Sequence, residues 1–208
     1  MIKTVIFDFD GTIADTLPRI LQLYNKYASD FGLNKITSPD AEFLRGKSTL
    51  EIIKWFGITA IKLPALAVKI RKELNSSITS IKIFPGIKEL IKKLKSKKYK
   101  LGVLTSNSVE NVVKFLKKYR IDSFDFIISE PSLLGKAKAI KNLINNQKLN
   151  KDKTIYIGDE VRDIDACKEN GIKVISVTWG FNTKYILQKN NPDFLAGNPA
   201  KILKILSI

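Results

Sequence analysis

Hydrophobic and polar residues follow two different patterns along the chain. From residue 87 onward, segments with apolar residues at helical spacing alternate with short runs rich in Val, Ile and Leu. This part predicts helices over 87–98, 108–118, 136–147, 161–169 and 199–206 and strands over 100–105, 124–128, 153–157, 173–178 and 193–195, and residues 2–7 predict a first strand. Strands that alternate with helices indicate βαβ units, so we expect an α/β fold with a doubly wound parallel sheet.

The segment after the first strand lacks this alternation. Its pattern predicts only helices, over 16–31, 39–44, 48–56 and 61–77, with Gly46, Gly57 and Pro64 as the breakers between them. Phe84-Pro85-Gly86 then marks a sharp turn, after which strands return. We therefore expect a core formed by residues 1–15 and 83–208, and a helical cap domain inserted as residues 16–82.

Composition excludes several classes of function. The 208 residues include no His, which rules out Ser-His-Asp and Cys-His triads, His-ligated zinc and catalysis by imidazole. Cys167 is the only cysteine, so no internal disulfide forms. No stretch approaches 18 uncharged apolar residues and no signal-peptide pattern opens the chain, so we expect a cytoplasmic protein without a membrane span.

The chain is strongly basic, with 36 Lys and Arg against 20 Asp and Glu and a net charge of +16. Such a charge suits nucleic acid or an anionic substrate. The lysines are spread along the chain, and the densest run, 88–100, has its apolar residues at helical spacing and no interleaved aromatic platform. We therefore interpret most of them as solvated and do not expect nucleic-acid binding.

Charged and hydroxyl residues follow the predicted strands at their carboxyl ends. Ligands bind beyond these ends in open parallel sheets. The residues that converge there are Asp8, Asp10, Thr105, Ser106, Lys136, Asp159 and Asp163. Clustered carboxylates repel each other unless a cation neutralises them, and Mg²⁺ takes carboxylate oxygens while sharing its shell with a phosphate. This set of residues predicts phosphoryl transfer with an Asp as the nucleophile.

These residues resemble the four motifs of the haloacid dehalogenase superfamily, in order and over essentially the whole chain. The motifs are Asp8-Phe9-Asp10-Gly11-Thr12, Thr105-Ser106-Asn107, Lys136 and Gly158-Asp159-Glu160-Val161-Arg162-Asp163. The helical insert is similar to the small cap of the phosphoglycolate-phosphatase-like group. The resemblance implies a Mg²⁺-dependent phosphatase that acts on a small anionic phosphorylated metabolite, as a monomer or homodimer.

The resemblance also implies catalytic roles. Asp8 would attack phosphorus and form an aspartyl-phosphate, and Asp10 would protonate the leaving alcohol and then activate water. Gly11 would give the turn freedom beside the phosphate. Lys136 would neutralise the phosphate and Asp8. Lys138 lies about 160° away around the same helix, so only one of the two faces the site, and the first-turn position favours Lys136.

Phosphate and metal binding are implied in the same way. Ser106 or Thr105, with Ser106 favoured, would hold the phosphoryl oxygens together with the backbone amide of Asn107. Mg²⁺ would be bound by Asp8, the carbonyl of Asp10, Asp159 and, directly or through water, Asp163.

Two cations in the insert bear on the choice of substrate. Arg45 and Lys47 flank Gly46 at a break between two cap helices, where relatives place a substrate-specificity loop. If both face the site, they favour a substrate with a second negative charge, such as phosphoglycolate, a sugar phosphate, a nucleotide or pyrophosphate. A sugar-phosphate mutase of the β-phosphoglucomutase kind shares all four motifs. The alternative of a different class is a basic nucleic-acid-binding protein with a relict hydrolase fold.

Overall fold

A six-stranded parallel sheet forms the centre of the structure, a computed structural model that describes residues 1–57, 62–130 and 135–208, with the backbone alone at 62–64. The strands in chain order are β1 (Thr4–Phe7), β2 (Ala14–Asp15), β3 (Lys82–Ile83), β4 (Lys100–Thr105), β5 (Phe126–Ser129), β6 (Thr154–Gly158), β7 (Lys173–Val177) and β8 (Phe194–Ala196). The order across the sheet is β5-β4-β1-β6-β7-β8. β4 and β5 lie on one side of β1, and β6, β7 and β8 lie on the other. The order in which strands are added to the sheet therefore reverses at β1, which places a crevice for ligands at the carboxyl end of that strand.

Helices cover both faces of this sheet, as the alternating pattern predicts. The helices of the described residues, including those of the inserted segment, are α1 (Leu17–Tyr27), α2 (Ser38–Arg45), α3 (Thr49–Phe56), α4 (Lys62–Ser77), α5 (Ile87–Ser96), α6 (Val109–Lys118), α7 (Lys136–Asn146), α8 (Val161–Asn170), α9 (Lys184–Lys189) and α10 (Pro199–Ile205). The predicted α/β class, with a doubly wound parallel sheet and inserted helices, is confirmed. None of the helices in the described ranges is long and apolar enough to span a membrane.

The sheet is buried on both faces, which explains why its strands are continuous apolar runs. All four residues of β1 are buried. On one face Phe7 and Phe9 pack with α5, α6 and α10, and the ring of Phe9 meets Phe115 edge-on at 5.1 Å between centroids. On the other face Ile6 packs with α7 and α8. The end of β1 is thereby held rigidly where the site begins.

A two-stranded antiparallel ribbon joins the helical segment to the sheet. Ala14 of β2 pairs with Ile83 of β3, and Asp15 pairs with Lys82. Strands of two residues carry no measurable hydrophobic period, so the sequence pattern did not predict them. The ribbon brings together the points where the chain leaves and re-enters the core. The domain boundaries at residues 16 and 82 stay a prediction.

The remaining differences between predicted and observed elements are local. Helix α9 was not predicted, because its six residues span fewer than two turns. Strand β5 begins at Phe126 rather than at residue 124. Residue 61, the predicted first residue of the fourth helix, lies outside the described residues. Pro64 falls within the first turn of α4, where a missing N–H breaks no helical hydrogen bond.

Candidate active site

The carboxyl end of β1 places two aspartates beside the crevice. The backbone N–H of Asp8 donates to the carbonyl of Ile157 at 2.8 Å, which continues the pairing with β6 by one residue. Asp8 is 2% exposed and Asp10 is 8% exposed. Phe9, between them, points into the apolar core. Alternation along the extended chain therefore directs both aspartates away from the core and toward the crevice.

A buried lysine binds two of the carboxylates. The Nζ of Lys136 lies 3.0 Å from Oδ2 of Asp8 and 3.0 Å from Oδ1 of Asp163. Lys136 is the first residue of α7, so its side chain reaches across the sheet edge, whereas Lys138 is exposed. The structure thus brings Lys136, and not Lys138, to the two aspartates.

Asp159 is held by hydrogen bonds to both of its oxygens. The hydroxyl of Thr12 donates to Oδ1 at 2.7 Å, and the backbone N–H of Phe181 donates to Oδ2 at 2.7 Å. Two glycines make room for this side chain. A Cβ at Gly11, where φ is +77°, would lie 2.1 Å from Oδ2, and a Cβ at Gly180 would lie 2.3 Å from the same oxygen. Neither position tolerates a side chain without displacing the carboxylate.

Asp163 occupies the first turn of α8 and organises the loop before it. Its Oδ2 accepts hydrogen bonds from the backbone N–H groups of Asp159, at 3.1 Å, and Glu160, at 3.0 Å. These N–H groups lie just before the helix or at its N-cap, where no helical carbonyl satisfies them. Asp163 is fully buried, and its other oxygen faces Lys136. One side chain therefore connects the loop, the helix and the lysine.

Burial dominates the electrostatics of the cluster. Desolvation raises the pKa of Asp8 to about 7, against the opposing effect of Lys136 and with a further increase from the charge of Asp163. Burial likewise raises the pKa of Asp10 and raises that of Asp159 well above the ordinary value. Burial alone would lower the pKa of Lys136, but Asp163 and Asp8 outweigh it and raise that pKa. The site has an excess of negative charge that one lysine does not neutralise.

The carboxylates have the chemistry and spacing of a site for a hard cation. One oxygen each of Asp8, Asp159 and Asp163 lie within 4.8 Å of one another. Asp8 Oδ2 and Asp163 Oδ1 face the ammonium of Lys136 at 3.0 Å and have no other hydrogen-bond donor among the described residues. A set of carboxylate oxygens with unfilled coordination capacity suits Mg²⁺. The carboxylate of Asp10 is not part of this cluster.

The residues of the second motif, 105–107, contact one another and Asp10. The hydroxyl of Thr105 is buried and accepts the backbone N–H of Asn107 at 2.9 Å, so that amide is already engaged within the turn. The side-chain NH₂ of Asn107 instead faces Asp10, at 3.4 and 3.5 Å from its two oxygens. Ser106 lines the open cavity beside them. The phosphate contact of the Asn107 amide therefore stays a prediction, and a bound phosphate would compete with Thr105 for this N–H group.

A cavity of about 240 Å³ lies over Asp10, between the core and the helical segment. The core side also contributes Ser106, Asn107, Glu160, Arg162 and Phe181, and the helical side contributes Ile20, Thr49, Ala67, Ile70, Arg71 and Leu74. Within this lining the cationic side chains are Arg71 and Arg162, and Nε of Arg162 donates to Glu160 at 2.9 Å.

Sequence reasoning missed both arginines. Arg162 lies directly before Asp163 in the fourth motif, and this position was an available signal. Arg71 carried no such signal, because helical periodicity in α4 does not tell which face covers the site.

Arg45 and Lys47 make other contacts. Arg45 donates through Nε to the carbonyl of Phe181 at 3.1 Å and through Nη2 to that of Gly180 at 3.2 Å. The side chain of Asn182 donates to the backbone carbonyls of both residues. The structure places this segment against the loop after β7, and within the described residues it brings neither cation to the carboxylates. A direct substrate contact by Arg45 and Lys47 stays a prediction that these contacts do not favour.

Comparisons with known proteins agree with this geometry. Residues 5–177 match the model of the haloacid dehalogenase-like hydrolases. The phosphoglycolate phosphatase of Synechococcus elongatus is 32% identical over 206 residues, which cover 99% of this chain and 97% of that protein. The pyrophosphatase PpaX of Listeria innocua is 25% identical over 99% of this chain and 96% of its own.

Solved structures show the same fold. The crystal structure of a predicted phosphatase from Clostridium acetobutylicum superposes with a TM-score of 0.86 over 100% of both chains, at 20% identity. The family match covers most of the chain and includes β1, β4, β6 and the residues at their ends. The chain belongs to the haloacid dehalogenase-like hydrolases and is a phosphatase similar to phosphoglycolate phosphatases.

Proposed function

We propose that this enzyme hydrolyses a compact phosphomonoester that carries a second anionic group, of the phosphoglycolate kind, through an aspartyl-phosphate on Asp8. The observation that carries the proposal is the position of Asp8, buried at the reversal point of the sheet and 3.0 Å from Lys136. A carboxylate held in place by a cation at a ligand-binding crevice is suited to nucleophilic attack.

The two aspartates divide the reaction between them. An oxygen of Asp8 forms a bond to phosphorus while the bond from phosphorus to the alcohol oxygen breaks, and Asp10 gives its proton to the departing alcohol. Water then attacks phosphorus, Asp10 takes a proton from this water, and the bond to Asp8 breaks to release phosphate. Burial raises the pKa of Asp10, which favours the protonated form that the first step requires.

The other charged residues hold the reacting groups. Lys136 compensates negative charge on Asp8 and on the phosphoryl oxygens, and Ser106 donates its hydroxyl to one of those oxygens. Asp8, Asp159, the backbone carbonyl of Asp10 and Asp163 would hold Mg²⁺, with Asp163 binding directly or through water. Bound Mg²⁺ supplies stabilisation of the charge that develops on the phosphoryl oxygens.

The cavity supports the choice of substrate class. Its volume of about 240 Å³ is below the roughly 300–1,000 Å³ of pockets for drug-sized ligands, so it suits a metabolite of a few heavy atoms. Arg71 lines the cavity from the helical side, opposite Ser106 and Asp10. A guanidinium there suits a second anionic group, such as a carboxylate, at the far end of the substrate. The phosphoglycolate phosphatase among the relatives fits this reading.

Pyrophosphate is a second candidate substrate. Two guanidinium groups, of Arg71 and Arg162, line the same cavity and would suit the two phosphoryl groups of pyrophosphate. The pyrophosphatase of Listeria innocua is a relative over nearly the whole chain.

A panel of phosphorylated metabolites tests both candidates. Phosphate release would be measured with Mg²⁺ from phosphoglycolate, pyrophosphate, sugar phosphates and nucleotides, and with EDTA as the control. We expect the highest kcat/KM with phosphoglycolate, loss of activity in EDTA and recovery with Mg²⁺. A preference for pyrophosphate would select the second candidate. Release of phosphate from none of these compounds, or isomerisation of a sugar phosphate without release, would contradict the proposal.

A further inference from the structure

Three asparagines form a hydrogen-bonded chain from helix α4 to Asp10. The side-chain NH₂ of Asn111, on α6, donates to Oδ1 of Asn75, on α4, and also to Oδ1 of Asn107 at 2.8 Å. The NH₂ of Asn107 faces the two oxygens of Asp10 at 3.4 and 3.5 Å. The chain thus runs from the helical segment, through the core, to the proposed acid and base of the reaction.

The chain determines the orientation of the Asn107 amide. Asn111 and Asn107 are 2% and 3% exposed, so water does not replace these hydrogen bonds easily. Oδ1 of Asn107 accepts two donors, Asn111 and the backbone N–H of Ser108 at 2.9 Å. With its oxygen engaged in this way, Asn107 presents its NH₂ to Asp10. A flipped amide would direct an oxygen at the carboxyl group and lose both donors.

We propose that Asn111 and Asn75 are positioning residues that orient Asp10 through Asn107. Proton transfer by Asp10 would then depend on the packing of α4 against the core. The inference rests on the proposed function, in which Asp10 protonates the leaving group. Asn111 provides two hydrogens to two acceptors, and both acceptors lie on segments that line the cavity. When α4 packs against the core, Asn75 accepts a hydrogen bond from Asn111 and keeps it in place. Asn111 then holds the amide of Asn107, which directs Asp10 toward the leaving group.

A merely structural role for these amides predicts something different. If the asparagines only join α4 to α6, their loss lowers stability and affects all substrates equally. If they orient Asp10, their loss lowers kcat/KM, which reports on formation of the aspartyl-phosphate, only for those substrates whose leaving group needs a proton. The later step, in which Asp10 takes a proton from water, is common to all substrates and enters kcat alone. Ethyl phosphate and acetyl phosphate separate these cases, because they are similar in size, but ethoxide must be protonated and acetate leaves as a stable anion.

The test compares kcat/KM for these two substrates in the wild type and in Asn111→Leu, with Mg²⁺ present. General acid catalysis contributes roughly 10²–10⁴-fold, so a misplaced acid should lower kcat/KM for ethyl phosphate about tenfold or more. For acetyl phosphate we expect a change of less than about twofold. Asn75→Ala, at a half-buried position, should give the same pattern with a smaller loss, and it keeps the test usable if Asn111→Leu does not fold.

Another buried asparagine, outside this chain of amides, provides the matched control. Asn170 is 7% exposed and donates to the carbonyls of Ala137 and Ala166, with no contact to the chain of amides. Asn170→Leu should lower stability without changing the ratio of the two kcat/KM values. Equal losses on both substrates in Asn111→Leu and Asn75→Ala, or no loss on either, would overturn the inference. A wild type that hydrolyses neither substrate nor any member of the metabolite panel would overturn the proposed function as well.

Discussion

The charged cluster at the ends of the sheet strands and the helical wall of the cavity over Asp10 differ in how firmly their residues are held. In the cluster, Asp8, Lys136, Asp159 and Asp163 are at most 8% exposed, and each is bound by at least one hydrogen bond or ion pair. On the helical side most of the lining residues are half-buried, as are Ile70 and Arg71. From this difference we expect the core to provide the preorganised chemistry and the helical segment to contact the variable part of a substrate.

The helical segment is itself held unevenly. Leu23 of α1 and Leu74 of α4 belong to the same apolar cluster as the sheet, whereas α3 contains no buried residue. The α2 side rests on the core through hydrogen bonds of Arg45 to the loop after β7. We therefore expect α1 and α4 to keep a fixed relation to the core, and variants near α2 to have smaller effects.

The largest effect is expected for the nucleophile. Asp8→Asn keeps the size of the side chain but removes the attacking carboxylate, so kcat should fall by on the order of 10³-fold or more. The fold should persist, because burial disfavours the charged form of Asp8 by more than the attraction of Lys136 favours it. Phosphate release and far-ultraviolet circular dichroism check the two parts. Retained activity in a folded Asp8→Asn variant would contradict the assignment.

Replacement of the lysine should damage both chemistry and stability. Lys136→Met leaves Asp8 and Asp163 without their cation, and breaking a buried ion pair by removing one partner costs about 3–5 kcal/mol. Urea unfolding in EDTA at pH 8 measures this loss. Lys138→Met, at an exposed position of the same helix, is the matched control and should leave stability and activity unchanged. Equal effects of the two substitutions would show that Lys136 has no special role.

The stability of the metal-free protein should depend on pH in an unusual direction. Burial raises the pKa of Asp8 from its ordinary value of 3.8 to about 7, so the folded state retains a proton that the unfolded state loses. The free energy of unfolding should therefore fall as pH rises from about 4 to 7, and the raised pKa values of Asp10 and Asp159 act in the same direction. Surface carboxylates with lowered pKa values, such as Glu73, act in the opposite direction but mainly below about pH 4.5.

Chemical unfolding in EDTA across this pH range checks the prediction. Asp8→Asn should reduce the slope of this profile between about pH 4 and 7, because one of the buried carboxyl groups that titrate there is gone. Mg²⁺ should raise the stability of the wild type most above pH 7, since protons compete with the metal for the carboxylates at lower pH. Stability that increases between pH 5 and 7 in EDTA would contradict the assigned shift at Asp8.

The smallest effect on activity is expected at the helical wall. Arg71→Met should lower kcat/KM for phosphoglycolate by roughly 10–100-fold, the equivalent of a lost hydrogen bond to a charged group, and leave 2-hydroxyethyl phosphate nearly unchanged. Arg45→Met is the comparison, because Arg45 contacts the core loop and should alter both substrates by the same few-fold factor. If Arg45→Met instead lowered kcat/KM for phosphoglycolate alone, the segment around Gly46 would be the part that recognises the substrate.

Much of the fold and of the core side of the site follows from local patterns. Apolar runs identified the sheet strands because parallel strands are buried on both faces, and the polar residues after those runs gathered at one edge. Residues such as Lys136 and Asp159 could thus be placed near Asp8 without coordinates. The ribbon of β2 and β3 and helix α9 were not predictable, because they are too short to show a hydrophobic period. The direction of the Asn107 side-chain amide was not predictable either, because it depends on Asp10, which is distant in sequence.

The sequence by itself determined the α/β class, the order of the chemical groups along the chain and the absence of histidine, which leaves acid and base work to carboxylates. Only the tertiary structure decided which cation of the helical segment lies over the site. Arg45 and Arg71 both belong to helical patterns that do not distinguish them, and in the structure Arg71 of α4 lines the cavity while Arg45 donates to backbone carbonyls. The reason is physical: periodicity gives the apolar face of a helix, but the neighbour that covers this face is selected by long-range packing.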